Sequence, residues 1–215
     1  MALTGFNPDV VNSSINQVKT AYENLIRVLG DDMQTQFVEG MSDKWACNNA
    51  QSFFNDVFKP AIDSLIVNAN TIFESVVNSM NSAAQVWAQE TNSSYNPQSF
   101  SLINKVIDTS VIQENIGGVR GIDLDQASPV ASKLPTISEN AKSALTSAQQ
   151  AVQDCGFVGG SQSENLIASL GTIKNNIDTA TEEIVTQSKN AIESTIQNYA
   201  NTEGKISQAF AGTNQ

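Results

Sequence analysis

The stretch SDKWACNNAQSFF, residues 42–54, separates two segments whose apolar residues recur with the period of a helix. Gly, Asn and Ser usually suffice in the turn between two helices. Here Trp45, Ala46 and Cys47 occupy the turn instead. The stretch therefore predicts a helical hairpin whose turn carries a large aromatic side chain, and the role of that side chain is the main question that the sequence raises.

The segment before the turn is predicted to be one long amphipathic helix. Its apolar residues follow alternating steps of four and three from Val11 to Leu29, which places them on one face. The NPD sequence at 7–9 supplies an N-cap, a proline that the first helical position tolerates, and an acidic residue at the positive end of the helix dipole. We expect this helix to end near Glu39 and Gly40.

The segment after the turn has the same pattern. Its apolar residues keep the helical period from Phe54 to about Glu90. Pro60 lies inside this run. Because proline removes one backbone donor and crowds the preceding turn, we expect a kink near Asp56 rather than the end of the helix.

Two further helices are predicted in the second half of the chain. The TISE sequence at 136–139 has the form of a capping box, and a stripe of small apolar residues follows it as far as Val152. Glycines in CGFVGGSQSE, residues 155–164, are predicted to end that helix, and SQSE at 161–164 offers a second capping box. The final helix is expected to extend to about Gln208.

The two halves resemble each other. When Trp45 is aligned with Phe157, the apolar positions of the two long helices coincide without a gap, and the turn Trp45-Ala46-Cys47 falls on Phe157-Val158-Gly159. The sequence therefore predicts two similar hairpins in one chain. The paired positions in the helices are Phe54 and Leu166, Phe58 and Leu170, Ala61 and Ile173, Leu65 and Ile177, Ile72 and Ile184, Met80 and Ile192, and Trp87 and Tyr199.

The connector between the hairpins, residues 93–135, is less regular. YNPQSFSLINKVIDTSVI, residues 95–112, is compatible with a short helix, whereas GGVRGIDLDQASP, residues 117–129, is predicted to be a loop. Asp123 and Asp125 resemble a fragment of a calcium loop. The other ligands and their spacing are missing, so we interpret the pair as part of a solvated turn.

Composition and charge exclude several classes of function. The 215 residues carry a formal net charge of -11, which repels nucleic-acid phosphates and anionic lipids, so nucleic acid is not an expected partner. The chain has no histidine, and its two cysteines cannot complete a tetrahedral metal site. No metal site, cofactor or catalytic residue is therefore expected, and carboxylate neighbours such as Asp31 and Asp32 point to different parts of a helix surface.

The start of the sequence, MALTGFNPDVV, has neither the basic region nor the apolar run of a cleavable signal peptide. No stretch approaches the roughly 20 apolar residues that span a bilayer. We therefore expect a soluble protein without stable membrane insertion, and, if it is exported, a route that needs no cleavable signal.

Two helical hairpins with aromatic turns, in an acidic chain rich in Ala, Ser, Asn, Gln and Thr, resemble the WXG family of bacterial type VII (ESX-like) secretion substrates. The resemblance covers about residues 6–92 and 136–210. Family members are small helical hairpins that pair into four-helix bundles and leave the cell folded, through a machine driven by a membrane ATPase. The resemblance implies two hairpins, 1–92 and 136–215, that pack antiparallel into an elongated all-α four-helix bundle with a partly helical connector.

The family also carries a C-terminal export signal, a Tyr followed by three residues and Asp or Glu, and Tyr199 with Glu203 fits this pattern. In antiparallel hairpins the turn of one lies beside the helix ends of the other, so Trp45 is expected near Tyr199 and Glu203. The secretion ATPase or a related secreted protein is the expected partner. The resemblance implies a non-enzymatic substrate or partner protein that is a monomeric pseudo-dimer, cytoplasmic before export and secreted afterwards.

The length of the connector predicts the same antiparallel arrangement. Parallel hairpins need only about 2 to 8 residues between them, whereas residues 93–135 can return along a helix about 45 Å long. Cys47 and Cys155 should then lie at opposite ends, beyond the ~7 Å Cα separation that a disulfide allows.

Other classes of function remain open. A helical surface or phage-like structural protein also fits long helices rich in small polar residues, but it should polymerise. A membrane-active toxin needs a concealed hydrophobic hairpin, and the apolar stretches here are too short for one. An enzyme is disfavoured because the sequence offers no convergent acid and base.

Overall fold

The computed structural model describes residues 7–155 and 161–212, with residues 161–163, 203 and 206–212 described by their backbone alone. The described chain is mostly helical, with four long helices, and the predicted all-α class is confirmed. No helix among these residues is both long enough and apolar enough to cross a membrane.

The elements follow one another in a simple order. The first long helix consists of α1, two π-helical turns and α2, and the second of α3, a third π-helical turn and α4. The bounds are α1 Pro8–Arg27, π-helical turns Val28–Asp32 and Gln34–Val38, α2 Glu39–Met41, β1 Trp45–Ala46, α3 Asn48–Ser52, π-helical turn Phe53–Phe58, α4 Lys59–Glu90, β2 Gly121–Ile122, α5 Leu124–Ala131, α6 Leu134–Gln153 and α7 Ser161–Gly212.

The four long helices share one hydrophobic core. Helix α1 packs against α4 and α6, and α7 packs against the same two helices. Aromatic rings concentrate near the first turn, where Phe37 lies with its ring centroid 4.9 Å from Phe58 and 5.4 Å from Phe54. The largest fully buried side chains are Trp45, Tyr22, Phe37, Phe54, Phe58, Phe73, Ile15, Leu25, Ile26, Leu29, Met33 and Met41.

The predicted ends of the first hairpin agree with the structure. The Asn7 side-chain oxygen caps α1 by accepting the backbone N–H groups of Asp9 at 3.0 Å and Val10 at 3.4 Å. The first long helix ends at Met41, close to the expected residues, and α4 ends at Glu90.

Pro60 does not end the second helix. The π-helical turn Phe53–Phe58 directly precedes it, and Pro60 stands in the first turn of α4. In a π-helical turn a C=O accepts from the N–H five residues later instead of four. The wider turn therefore tolerates a proline, which has no N–H to donate to the C=O four residues before it. The irregularity expected near Asp56 therefore takes the form of a π-helical turn.

The predicted start of the third helix is wrong. Helix α6 begins at Leu134 with a proline in its first turn, so the TISE sequence at 136–139 lies inside the helix. Ser138 faces α7, where its hydroxyl accepts a hydrogen bond from Thr181 at 3.0 Å. Helix α7 begins at Ser161 and extends to Gly212, a few residues past the expected end.

The first half of the connector is extended, so the short helix considered there is wrong. We call residues 95–112 the strap, because they run back along the outer face of the first hairpin. Asn81 holds Gln98 at both backbone atoms, accepting its N–H at 2.9 Å and donating to its C=O at 2.8 Å. Such side-chain clamps replace the backbone bonds that a helix would have made.

Tyr22 and Asn70 clamp the middle of the strap. The Tyr22 hydroxyl accepts the Ile103 N–H at 2.6 Å and donates to the Asn70 side-chain oxygen at 2.8 Å. The Asn70 side-chain amide donates to the Ile103 C=O at 3.3 Å. Further along, the Asp63 carboxylate accepts the Ile107 N–H at 2.9 Å.

The second half of the connector is more regular than the predicted loop. Gly117 and Gly118 both have positive φ, 58° and 84°, and form a tight turn between the bridged residues Ile116 and Val119. Strand β2 and helix α5 follow directly. The Asp123 carboxylate caps α5 by accepting the Gln126 N–H at 3.2 Å, which gives this residue a local structural role.

Candidate functional site

The first turn is built around a short antiparallel sheet. In β1 and β2, Trp45 pairs with Ile122 and Ala46 with Gly121. The Asp123 N–H extends the ladder by donating to the Lys44 C=O at 2.7 Å. The turn that the sequence singled out is therefore fixed by the connector, which lies about eighty residues further along the chain.

Trp45 is completely buried, with 0% of its surface exposed. Its ring stacks on Phe53 with centroids 5.7 Å apart and planes at 28°, and it lies edge-on to Phe54 at 6.1 Å. Ala46 and Cys47 are also buried. A receptor cannot touch the Trp45 side chain directly in this conformation, so the expectation that a receptor recognises that side chain itself does not fit its burial.

Helix α7 contacts the turn through Thr195. The Trp45 indole N–H donates to the Thr195 hydroxyl at 3.4 Å, and the Cys47 sulfur lies 3.7 Å from the same oxygen. Asn49 donates to Ser194 and Thr195 at 3.4 Å each. The turn of the first hairpin and the C-terminal part of α7 therefore meet at one end of the molecule.

Tyr199 lies one helical turn beyond Thr195 and borders a surface groove of about 690 Å³. We call it the end groove. Its walls come from the first turn, from residues 116–124 and from α7, and they include Lys44, Ala46, Val119, Arg120, Ile196 and Tyr199. The Tyr199 ring lies against β2, because a Cβ placed on Gly121 would be 3.9 Å from its Cζ.

The end groove collects exposed apolar side chains. Val119 is 71% exposed and Tyr199 is 37% exposed, and Ile116, Leu124 and Ile196 are exposed beside them. Contiguous apolar surface of this kind marks interaction sites more often than isolated exposed residues do. The end groove is therefore a candidate docking surface.

The charges around the end groove are mostly paired. Lys44 forms an ion pair with Asp43, and Arg120 forms one with Glu114. Partial burial raises the pKa of the Tyr199 phenol above its ordinary value; Cys47 adds to the rise and the Arg120 guanidinium opposes it. The phenol is therefore neutral at physiological pH and can act as a hydrogen-bond donor.

The remaining predicted site residues cannot be compared in the same way. Phe157, Val158 and Gly159 lie outside the described residues, and Glu203 is described by its backbone position in α7 alone. Within the described part of the chain, no cluster of three or more acidic or cysteine side chains is arranged to hold a metal ion.

Residues 116–124 are the part of the site that sequence reasoning missed. The signal for them was present, because a Gly-Gly pair between Ile116 and Val119 is typical of a two-residue hairpin turn. The apolar residues flanking the glycines then belong to a surface hairpin and not to an unstructured loop.

No protein-family model, curated protein or solved structure matches the chain. Its function therefore has to be inferred from the end groove and from the helical hairpins that form it.

Proposed function

We propose that this chain is a non-enzymatic substrate or partner protein of a bacterial type VII (ESX-like) secretion system, exported in the folded state as a single-chain pseudo-dimer. The end groove would be its docking surface for the secretion ATPase or a related secreted protein. The observation that carries the proposal is that Tyr199 on α7 and the turn around Trp45 border the same groove.

The proposal includes an antiparallel four-helix bundle of two hairpins. Contacts at both ends of α4 and α7 support it. Asn49 in α3, at the start of the second long helix, bonds to Ser194 late in α7, whereas Trp87 near the end of α4 and Leu166 near the start of α7 line one groove. Antiparallel neighbours explain both contacts.

The second hairpin has the internal contacts that the proposal needs. The Lys142 ammonium group of α6 bonds to the Asp178 carboxylate of α7 at 2.7 Å, and Gln149 of α6 donates to the Ile167 C=O at 3.1 Å. As the residue number rises along α6, that of its partner on α7 falls. This is the geometry expected of a helical hairpin.

The end groove suits a signal that depends on folding. Its walls come from three separated parts of the chain, so they adjoin only when both hairpins are folded and docked. A receptor that binds Tyr199 together with Val119 would therefore bind the folded protein and not the nascent chain. Trp45 would act from beneath, by holding the first turn against α7.

Replacement of Tyr199 tests the proposed signal. In a bacterium that carries a type VII system, Tyr199→Ala should strongly reduce the amount of protein in the culture medium. Its melting temperature should stay close to that of the wild type, because the ring is exposed at the edge of the core. Secretion is measured by immunoblotting of medium and cells, and folding by circular dichroism.

Val67→Ala is the matched control, because Val67 is an exposed apolar residue on α4 that does not line the end groove. It should be exported normally. Wild-type export of a folded Tyr199→Ala protein would contradict the proposed role of the end groove.

A further inference from the structure

The strap crosses the first hairpin where the helices are π-helical. Asp31, in the first π-helical turn, accepts a hydrogen bond from the Lys105 ammonium group at 2.6 Å. Gln34, in the second, holds Asp108 at both backbone atoms, accepting its N–H at 2.9 Å and donating to its C=O at 3.0 Å.

The third π-helical turn contacts the same part of the strap. Its Asn55 side-chain oxygen accepts a hydrogen bond from the Thr109 hydroxyl at 2.6 Å. All three π-helical turns of the described chain therefore bind strap residues 105–109. π-helical turns are rare and occur often at functional sites. Their shared contact with residues 105–109 therefore indicates a specific binding place for the strap, which we call the strap site.

Gly30 opens the space in which the strap lies. A Cβ at this position would be only 3.0 Å from both Cβ and Cγ of Lys105. Glycine inside a helix normally costs stability relative to alanine, so its presence here is explained by the close approach of the strap. The backbone of the first helix and the strap are fitted to each other at this point.

The strap residues at this site, 105–109, come shortly before the residues of the end groove in the sequence. After Thr109, the Ile112 C=O accepts a hydrogen bond from Gln51 at 3.3 Å, and Ile116 is the first connector residue that lines the groove. Seven residues of the groove wall follow within fifteen residues of Thr109. They are Ile116 and residues 119–124. The strap therefore leads directly into this wall of the groove.

We propose that Gln34 and Gly30 are positioning residues for the end groove, which act through the strap. Neither residue lines the groove. Gln34 fixes the register of the strap at Asp108, and Gly30 lets the strap approach the helix closely enough to keep that register. The inference rests on the proposed function for the docking role of the end groove, but the positioning of its wall can be tested independently.

Hydrogen exchange of the full-length protein provides the test. The reporters are backbone amides 119–123, including the Asp123 N–H that donates to the Lys44 C=O. Gln34→Ala removes two hydrogen bonds to the strap, and Gly30→Ala pushes Lys105 away. In both variants we expect these amides to exchange about tenfold faster or more, whereas amides in the middle of α4 and α7 keep wild-type rates.

Gly30→Ala separates positioning from general stability. The higher helix propensity of alanine offsets part of the cost of moving Lys105, so the melting temperature should change little while the groove amides exchange faster. Gly171→Ala is the matched control. A Cβ there would meet only the flexible Gln149 side chain at an ordinary 3.5 Å, and the groove amides should keep wild-type exchange.

Two results would overturn the inference: wild-type exchange of amides 119–123 in both variants, or equal acceleration throughout the bundle. An export assay on the same proteins separates this inference from the proposed function. Faster groove exchange with unchanged export would leave the positioning role intact and would contradict the docking role of the end groove.

Discussion

Trp45 supports the end groove from the inside. Its ring is buried between Phe53, Phe54 and Thr195, so its contribution is to packing and to the contact with α7. This burial answers the question that the aromatic turn raised: a large side chain is needed there because the turn has to pack against a helix of the other hairpin.

Trp45→Phe tests this role. The substitution removes the indole hydrogen bond to Thr195 and part of the ring volume, and we expect the free energy of unfolding to fall by about 1–2 kcal/mol. Thr195 keeps its bond to the Ala191 C=O, so no buried hydroxyl loses its last partner. Urea denaturation followed by circular dichroism measures the change.

Export of the Trp45→Phe protein should stay close to the wild-type level, since the indole is inaccessible to a receptor. Strong loss of export by a protein whose stability is near that of the wild type would show that the receptor recognises the indole itself.

The strap is the element whose stability depends most clearly on one titratable group. Burial raises the pKa of Tyr22 above its ordinary value; the Ile103 N–H opposes the rise and Glu74 adds to it. In the unfolded chain tyrosine loses its proton near pH 10, whereas in the folded protein Tyr22 holds it to higher pH. The free energy of unfolding should therefore be unaffected below about pH 10 and fall as the pH rises further.

Tyr22→Phe isolates this contribution. The variant should be less stable at neutral pH, because it loses the bonds to Ile103 and Asn70. It should also lose stability less steeply above about pH 10, where Tyr95 and Tyr199 still titrate. Urea unfolding at several pH values measures both effects, and parallel curves for the two proteins would contradict the assignment.

The helices of the first hairpin could be predicted from the sequence, but the strap could not. The start of α1 follows from the local NPD sequence at 7–9, and the extent of α4 from its apolar period. The strap depends instead on side chains far away in sequence, such as Tyr22 for Ile103, eighty-one residues apart. Period and propensity carry no information about such pairs.

The candidate site was predictable in part for the same reason. The expectation that the first turn lies beside the end of α7 came from the antiparallel packing that the family resemblance implies and from the length of the connector. The wall formed by residues 116–124 depends on pairing between β1 and β2, whose two residues each are too short to give a strand signal.

At the scale of the whole molecule, the arrangement of the hairpins can be tested with the native cysteine of the first turn. Cys47 Sγ lies 3.7 Å from the Thr195 hydroxyl, so the thiol introduced by Thr195→Cys should form a disulfide with Cys47 under oxidising conditions. Mass spectrometry of unreduced peptides identifies the bridge. Thr181→Cys, which faces Ser138 on α6, is the control and should form no bridge to Cys47.

A bridge between Cys47 and Cys155 would contradict the antiparallel arrangement, because it requires both turns at the same end of the molecule.

The same protein samples distinguish the proposed function from the alternative, a helical surface or phage-like structural protein. A pseudo-dimer should remain monomeric in light scattering on dilution and on concentration, whereas a filament-forming protein should grow with concentration.

Dependence of export on the secretion ATPase tests the proposed function most directly. The wild-type chain is produced in a bacterium with a type VII system and in the same strain lacking its membrane ATPase, and the folded protein in medium and cells is quantified. We predict that the protein disappears from the medium of the ATPase-deficient strain and accumulates, folded, inside the cells. Equal amounts in the medium of both strains would contradict the proposal.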